Sequence, residues 1–129
     1  MLETGIKGKQ TITVTHAQTA AHYGSGALEV FATPAMVALL EETAWKSVQP
    51  YLDAGCGTVG TRVDVRHLAA TPLGMQVTCE SELIEIDRRR LVFRVEVFDE
   101  RTKVGEGTHE RFVIQSDKFL AAANAKGDA

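Results

Sequence analysis

Five stretches of the chain read as strands and one as a long helix, from the spacing of their apolar residues alone. The helix runs from about Thr33 and Pro34 to Tyr51. Val37, Leu40, Ala44 and Val48 form its apolar stripe, and Trp45 and Tyr51 widen the face expected to be buried. Thr33 suits the N-cap and Pro34 the first helical position, where a missing N–H costs nothing. Pro50 and the turn at 53–57 end the helix. Glu41 falls inside the stripe, whereas Glu42 next door should face solvent.

Residues 9–15 alternate Gln10, Ile12 and Val14 against three threonines, as a half-buried strand does. After the helix, Val59, Thr61, Val63, Val65 and His67 share one face of a second strand. Residues 75–86 follow, with Met75, Val77, Cys79 and Leu83 inward; then 91–98, with Leu91, Phe93, Val95 and Val97 on one face; then 103–115. Turns at 70–74, 87–90 and 99–102 separate them. Residues 16–28 are rich in Ala, Gly, Thr and Ser and read as a loop with one helical turn. The tail from Ser116 starts a short helix through Phe119 and Leu120, and the ends, 1–8 and 121–129, are expected to fray.

Tight turns favour antiparallel pairing, so this order predicts an α+β domain in which an antiparallel sheet wraps one long helix, the hot-dog arrangement. The 129 residues suffice for a single domain with one core. Such a sheet keeps exposed edges, and pairing through one of them predicts a homodimer, or a dimer of dimers.

Composition narrows the function classes. Hydrophobic residues make up 44% and charged residues 24%, with a net charge of −3 and interleaved signs, which excludes a broad field for nucleic acid or an anionic membrane. No apolar run approaches the roughly 20 residues of a membrane-spanning helix. The N-terminus lacks the basic start and apolar middle of a signal peptide, which points to the cytoplasm. Cys56 and Cys79 belong to no paired cluster, so neither a disulfide framework nor a metal site is indicated. His16 and His22 lack partners at metal spacing.

Three residues carry the candidate chemistry: Thr33 at the helix entrance, Glu41 two turns along and His67 at a strand end. Singly, they read as a cap, an exposed acid and a structural histidine. Together they supply a hydroxyl, a carboxylate and an imidazole, enough to activate a nucleophile for acyl transfer. The helix N-terminus adds N–H groups for a carbonyl oxygen that gains charge. Eight residues of helix rise about 12 Å, so Thr33 and Glu41 do not touch through straight side chains if Thr33 is a simple cap. The lean of the glutamate toward the helix start narrows the gap, and a water, a substrate atom or a curled loop could close it.

The motifs FAT-x-x-MV-x-L-x-E from Phe31 to Glu41, GT at 60–61, H-x-AATP-x-G at 67–74 and GTHER at 107–111 stand in an order that closely resembles the fluoroacetyl-CoA thioesterase-like family of hot-dog proteins. The resemblance covers residues 29–119. It implies a homodimer with acyl-CoA sites near the subunit interface, hydrolysis of the thioester, and no metal or organic cofactor beyond the CoA of the substrate. It also implies catalytic roles for Thr33, Glu41 and His67, and substrate contacts from Gly60, Phe31 and Arg111. Bulky aromatic residues that cover the acyl group in the fluoroacetyl-selective member align with Gly24 and Ala27, so a broader short-chain acyl-CoA is the expected substrate. Pro34 replaces a glycine at the helix entrance.

His109 and Arg111 share a strand face and could reach a CoA phosphate, with strand pairing or a dimer contact as the plainer reading. Arg88, Arg89 and Arg90 form a basic turn, read as a solvated hairpin in preference to a phosphate site. A hot-dog hydratase and a non-catalytic acyl-CoA-binding module remain as alternative functions; hydrolysis alone would release free thiol.

Overall fold

In the computed structural model, which describes residues 1–128, the strands Lys7–Thr13 (β1), Cys56–His67 (β2), Gln76–Asp87 (β3), Arg90–Asp99 (β4) and Lys103–Gln115 (β5) form one antiparallel sheet. Its order is β1-β3-β4-β5-β2, which leaves β1 and β2 at the edges. The helices are Ala20–Tyr23 (α1), Thr33–Val48 (α2) and Ser116–Ala125 (α3). The α+β arrangement read from the sequence is present, with α2 against the sheet.

The core lies between them. Ala35, Met36, Leu39, Leu40, Ala44 and Val48 of α2 meet Val77, Cys79 and Leu83 of β3 and Leu91, Phe93, Val95 and Val97 of β4, all buried. The buried arc of α2 is wider than the expected stripe and turned slightly from it. Met36, Leu39 and Thr43 are inside while Val37 is half-exposed, because a curved sheet touches a helix on more than one line of residues. Tyr51 is exposed in a short 3₁₀ turn after α2, so it does not widen the buried face, and Trp45 is half-buried.

Secondary structure reaches into both stretches expected to fray. Lys7 and Gly8 belong to β1, and the Gly5 N–H reaches the Leu83 carbonyl at 2.8 Å. Residues 121–125, expected to fray, continue α3, although that helix has no buried residue; Ala129 lies outside the described residues. Before α2, residues 16–18 form a 3₁₀ turn and α1 one helical turn capped by Thr19, whose Oγ1 accepts the His22 N–H. Ala20 N–H to Val30 O and Phe31 N–H to Thr71 O tie this stretch down on both sides.

The second strand departs most from the simple pattern. Opposite β5, Gly60 faces Arg111 and Arg62 faces Glu110, so Thr61 is an extra residue in a β-bulge. The bulge switches which side chains point inward. Thr58 and Gly60 precede it on the helix side, and Val63, Val65 and His67 follow on that side, so Val59 and Thr61 leave the apolar face to which strict alternation assigned them. Val63 remains 39% exposed because β2 is an edge.

Candidate active site

Thr33 is not the cap of α2. Ala32 takes that position without a side-chain hydrogen bond, and Thr33 is the first helical residue. Its hydroxyl is thereby free to turn outward, and Thr33 Oγ1 lies 2.8 Å from Nδ1 of His67, at the end of β2. The ring edge of buried Phe31 packs against the imidazole with centroids 6.0 Å apart. Burial pushes the His67 pKa below its ordinary value, which favours the neutral ring. Its Nε2 is buried without a hydrogen-bond partner. Buried polar atoms are rarely left so, and the backbone of Ala69 also acts on this ring, opposing the effect of burial. Beside the pair runs an open cleft of about 480 Å³ lined by Ser25, Val30, Phe31, Thr33, His67 and Leu68, among others.

Glu41 lies two turns along α2, at a different point of β2. Its side chain is 37% exposed, and Oε2 accepts from Nη1 of Arg111 at 3.3 Å. Arg111 is almost fully buried on β5, with Nε on Thr58 Oγ1 at 2.8 Å and Nη2 on the Thr58 carbonyl at 3.0 Å. A guanidinium so committed holds the carboxylate and is no arm for a CoA phosphate, the reach entertained for it from sequence. Burial lowers the Arg111 pKa, opposed by the charge of Glu41. Gly60 faces this group: a Cβ built there would collide with Oε2 of Glu41 and stand 3.2 Å from Arg111 Nη1. Glycine at 60 is therefore a requirement of the carboxylate's position.

His109 completes the cluster. It is fully buried, stacks on Phe93 and places Nε2 3.1 Å from Arg111 Nη1 and 3.8 Å from Glu41 Oε2. Strand pairing or a dimer contact is the plainer expectation for it from sequence. The period-two spacing did put it on the face of Arg111; that this face meets Glu41 depends on packing between segments some 70 residues apart.

The three expected catalytic residues thus fall into two groups within one chain: Thr33 with His67, and Glu41 with Arg111, His109 and Gly60. Among the described residues no hydrogen bond or ion pair joins the groups. Glu42, expected to face solvent, is half-exposed and accepts from Gln10 of β1. In the Arg88 to Arg90 turn, Arg90 is bound to Glu85 and Glu110 and Arg88 stands in solvent. No group of three metal-ligating side chains occurs among the described residues, and no helix is long and apolar enough to cross a membrane.

Comparison with known proteins identifies the family and the fold. The family model described as FlK, fluoroacetyl-CoA-specific thioesterase, matches residues 14–117. A fluoroacetyl-CoA thioesterase from Streptantibioticus cattleyicolor is 46% identical over 101 residues, covering 78% of this chain and 73% of that protein. The solved structure of the fluoroacetyl-CoA thioesterase FlK superposes with a TM-score of 0.91 at 38% identity, over 98% of each chain. A hot-dog-like protein from Thermanaerovibrio acidaminovorans, 23% identical, superposes with a TM-score of 0.87 over 95% of this chain and 91% of that one, a likeness of fold.

Proposed function

Because the chain belongs to the fluoroacetyl-CoA-specific thioesterase family, we propose that it hydrolyses a short-chain acyl-CoA to the carboxylate and free CoA. The observation that carries this reading is the grip of Arg111 on one oxygen of Glu41 beside a residue without a side chain, Gly60. The second oxygen is left for the substrate. In the reaction Glu41 takes a proton from water as the water oxygen bonds to the thioester carbon; the C–S bond then breaks as the tetrahedral intermediate collapses, and the departing CoA sulfur takes that proton back from Glu41, leaving as the free thiol. Backbone N–H groups at the start of α2, which have no acceptor inside the helix, receive the carbonyl oxygen as it gains charge. Neutral His67, oriented by Thr33 and Phe31, presents Nε2 to the bound thioester. No metal or organic cofactor takes part. The loop ahead of α2 is exposed throughout residues 24–29 and carries no aromatic ring, which supports a short acyl group with no requirement for fluorine.

The enzyme works as a homodimer with each site shared between subunits, in the cytoplasm, where Cys56 and Cys79 stay reduced. What supports sharing is the separation of the two groups and the form of β2. This 12-residue edge strand is at least partly exposed at every position, and such an edge pairs readily with a copy of itself. Antiparallel pairing of β2 with its copy runs the two edges in opposite directions, so the Gly60 end of one strand lies toward the His67 end of the other. Glu41 of one subunit then approaches the Thr33 and His67 pair of the other.

Incubation with a panel of short acyl-CoAs, following free CoA, tests the activity: release should fall about 10³-fold in Glu41→Gln with the fold unchanged. Undiminished release would overturn the assignment of Glu41. Binding without release would mean a binding module, and altered chain unsaturation without release a hydratase. Mixing and re-forming dimers of Glu41→Gln with His67→Ala tests sharing. Each mixed dimer regains one intact site if sites span subunits, restoring about a quarter of wild-type activity; no recovery would place each site within one chain.

A further inference from the structure

We propose that His109 is a positioning residue for this thioesterase site: the lone pair on its Nε2 fixes Arg111 so that the guanidinium holds one oxygen of Glu41 and turns the other toward the substrate. The proposal rests on the thioesterase reading and adds to it a residue that touches neither water nor the reacting atoms. His109 is fully buried, so no direct contact with CoA is open to it. Its surroundings fix its tautomer. Nδ1 lies 2.7 Å from the carbonyl oxygen of Arg62, which only accepts, so Nδ1 carries the proton. Nε2 faces Nη1 of Arg111 at 3.1 Å, which only donates, so Nε2 carries the lone pair. Burial and the neighbouring guanidinium both act to keep the ring neutral.

The geometry has a built support. The Arg62 carbonyl stands beside the bulge at Thr61, and the imidazole stacks on Phe93 at 6.3 Å between centroids, with 29° between the ring planes. Thr58 fixes the opposite edge of the guanidinium through Nε and Nη2. Nη1 is then held between His109 Nε2 and Glu41 Oε2. Without the acceptor on His109, only the edge on Thr58 stays held, and the cation swings about that edge to take both carboxylate oxygens, removing the one the reaction uses.

Two substitutions separate this role from mere packing. In His109→Gln the amide oxygen reaches the place of Nε2 and still accepts from Arg111. In His109→Asn the shorter amide reaches only the place of Nδ1 and keeps the contact with the Arg62 carbonyl. Expected is a kcat at least about 10-fold lower for His109→Asn, with KM within about twofold, and a kcat within about threefold of wild type for His109→Gln. Equal loss in both variants, or wild-type kcat in His109→Asn, would overturn the proposal. Two readouts do not depend on turnover. A ¹H–¹⁵N spectrum of the wild-type imidazoles at neutral pH should show His109 as the Nδ1–H tautomer, and an Nε2–H tautomer or imidazolium would overturn it. Crystal structures of the two variants should show Arg111 turned from its single-oxygen contact in His109→Asn and retained in His109→Gln; an unmoved Arg111 in His109→Asn would overturn it. Wild-type protein that released no CoA would refute the thioesterase reading, while the tautomer and the Arg111 geometry would still decide whether His109 positions the guanidinium.

Discussion

Adding one methyl group at Gly60 probes the carboxylate more directly than removing the carboxylate does. The new Cβ of Gly60→Ala overlaps Oε2 of Glu41, and lies 3.2 Å from Arg111 Nη1 and 3.3 Å from His109 Cε1. Arg111 is held by Thr58 and His109 together, and His109 by Arg62 and Phe93, so neither can retreat. Glu41 is the mobile member, a half-exposed side chain on a long stem, and must withdraw by about an ångström to restore van der Waals distance. A misplacement of that size costs on the order of 10²-fold in rate, or about 2.7 kcal/mol of activation free energy. Stability should change little, since the clash is relieved at the surface by rotating one side chain. Initial rates of CoA release and a thermal melt on the same preparation suffice to check this: kcat should fall about 100-fold while Tm stays within about 3 °C. A kcat within threefold of wild type would refute the claim that Glu41 must keep its contact with Arg111 to act.

Removing the hydroxyl from the Thr33 and His67 pair, in Thr33→Val, should lower kcat about 10-fold or more and leave the melt unchanged, because Thr33 caps nothing; a loss of stability comparable to a lost cap, about 1 kcal/mol, would contradict the assignment. Stability should fall as pH drops below about 6.5. Burial holds His67 and His109 below that ordinary value, so the unfolded chain binds more protons there; the contribution of both is complete above 6.5 and is lost as pH falls toward their folded values. His109→Gln should flatten the pH dependence of Tm between about 5 and 6.5, and an unchanged slope would argue against a neutral His109. Cys79 is buried, and burial pushes its thiol up to about 11. Labelling with a thiol reagent at pH 8, followed by peptide mapping, should modify Cys79 only after denaturation; native labelling would contradict its place in the core.

The strands and the long helix were legible because their apolar residues repeat with the period of the structure they form. β5 begins and ends where the sequence placed it, and the faces of β4 alternate as read. Two local features defeated the same logic. The bulge at Thr61 inverts the alternation midway along β2, and the only trace of it in the sequence is a glycine inside a strand pattern. Thr33 before Pro34 looks like a cap, yet the helix starts one residue earlier because Ala32 already has extended dihedrals and its carbonyl accepts the first helical hydrogen bond, from the Met36 N–H. Glu41, read as a carboxylate inside the buried stripe, stands half-exposed at its edge, and its contacts with Arg111 and His109 were not legible. Arg111 and His109 lie far away in the chain, and no periodicity reports which face of β5 a given turn of α2 will meet.

Thr33 and Glu41 ride on one helix, and Gly60 and His67 on one strand, so the spacing of the two groups within each chain is fixed by hydrogen-bonded backbone. The stretch that the proposed function assigns to the acyl end, residues 24–29, is exposed and supports none of the core. Substrate range and turnover are therefore written in separable parts of the chain. Exchange of those few loop residues can retune which acyl group is accepted while the catalytic framework passes unaltered from one specificity to the next.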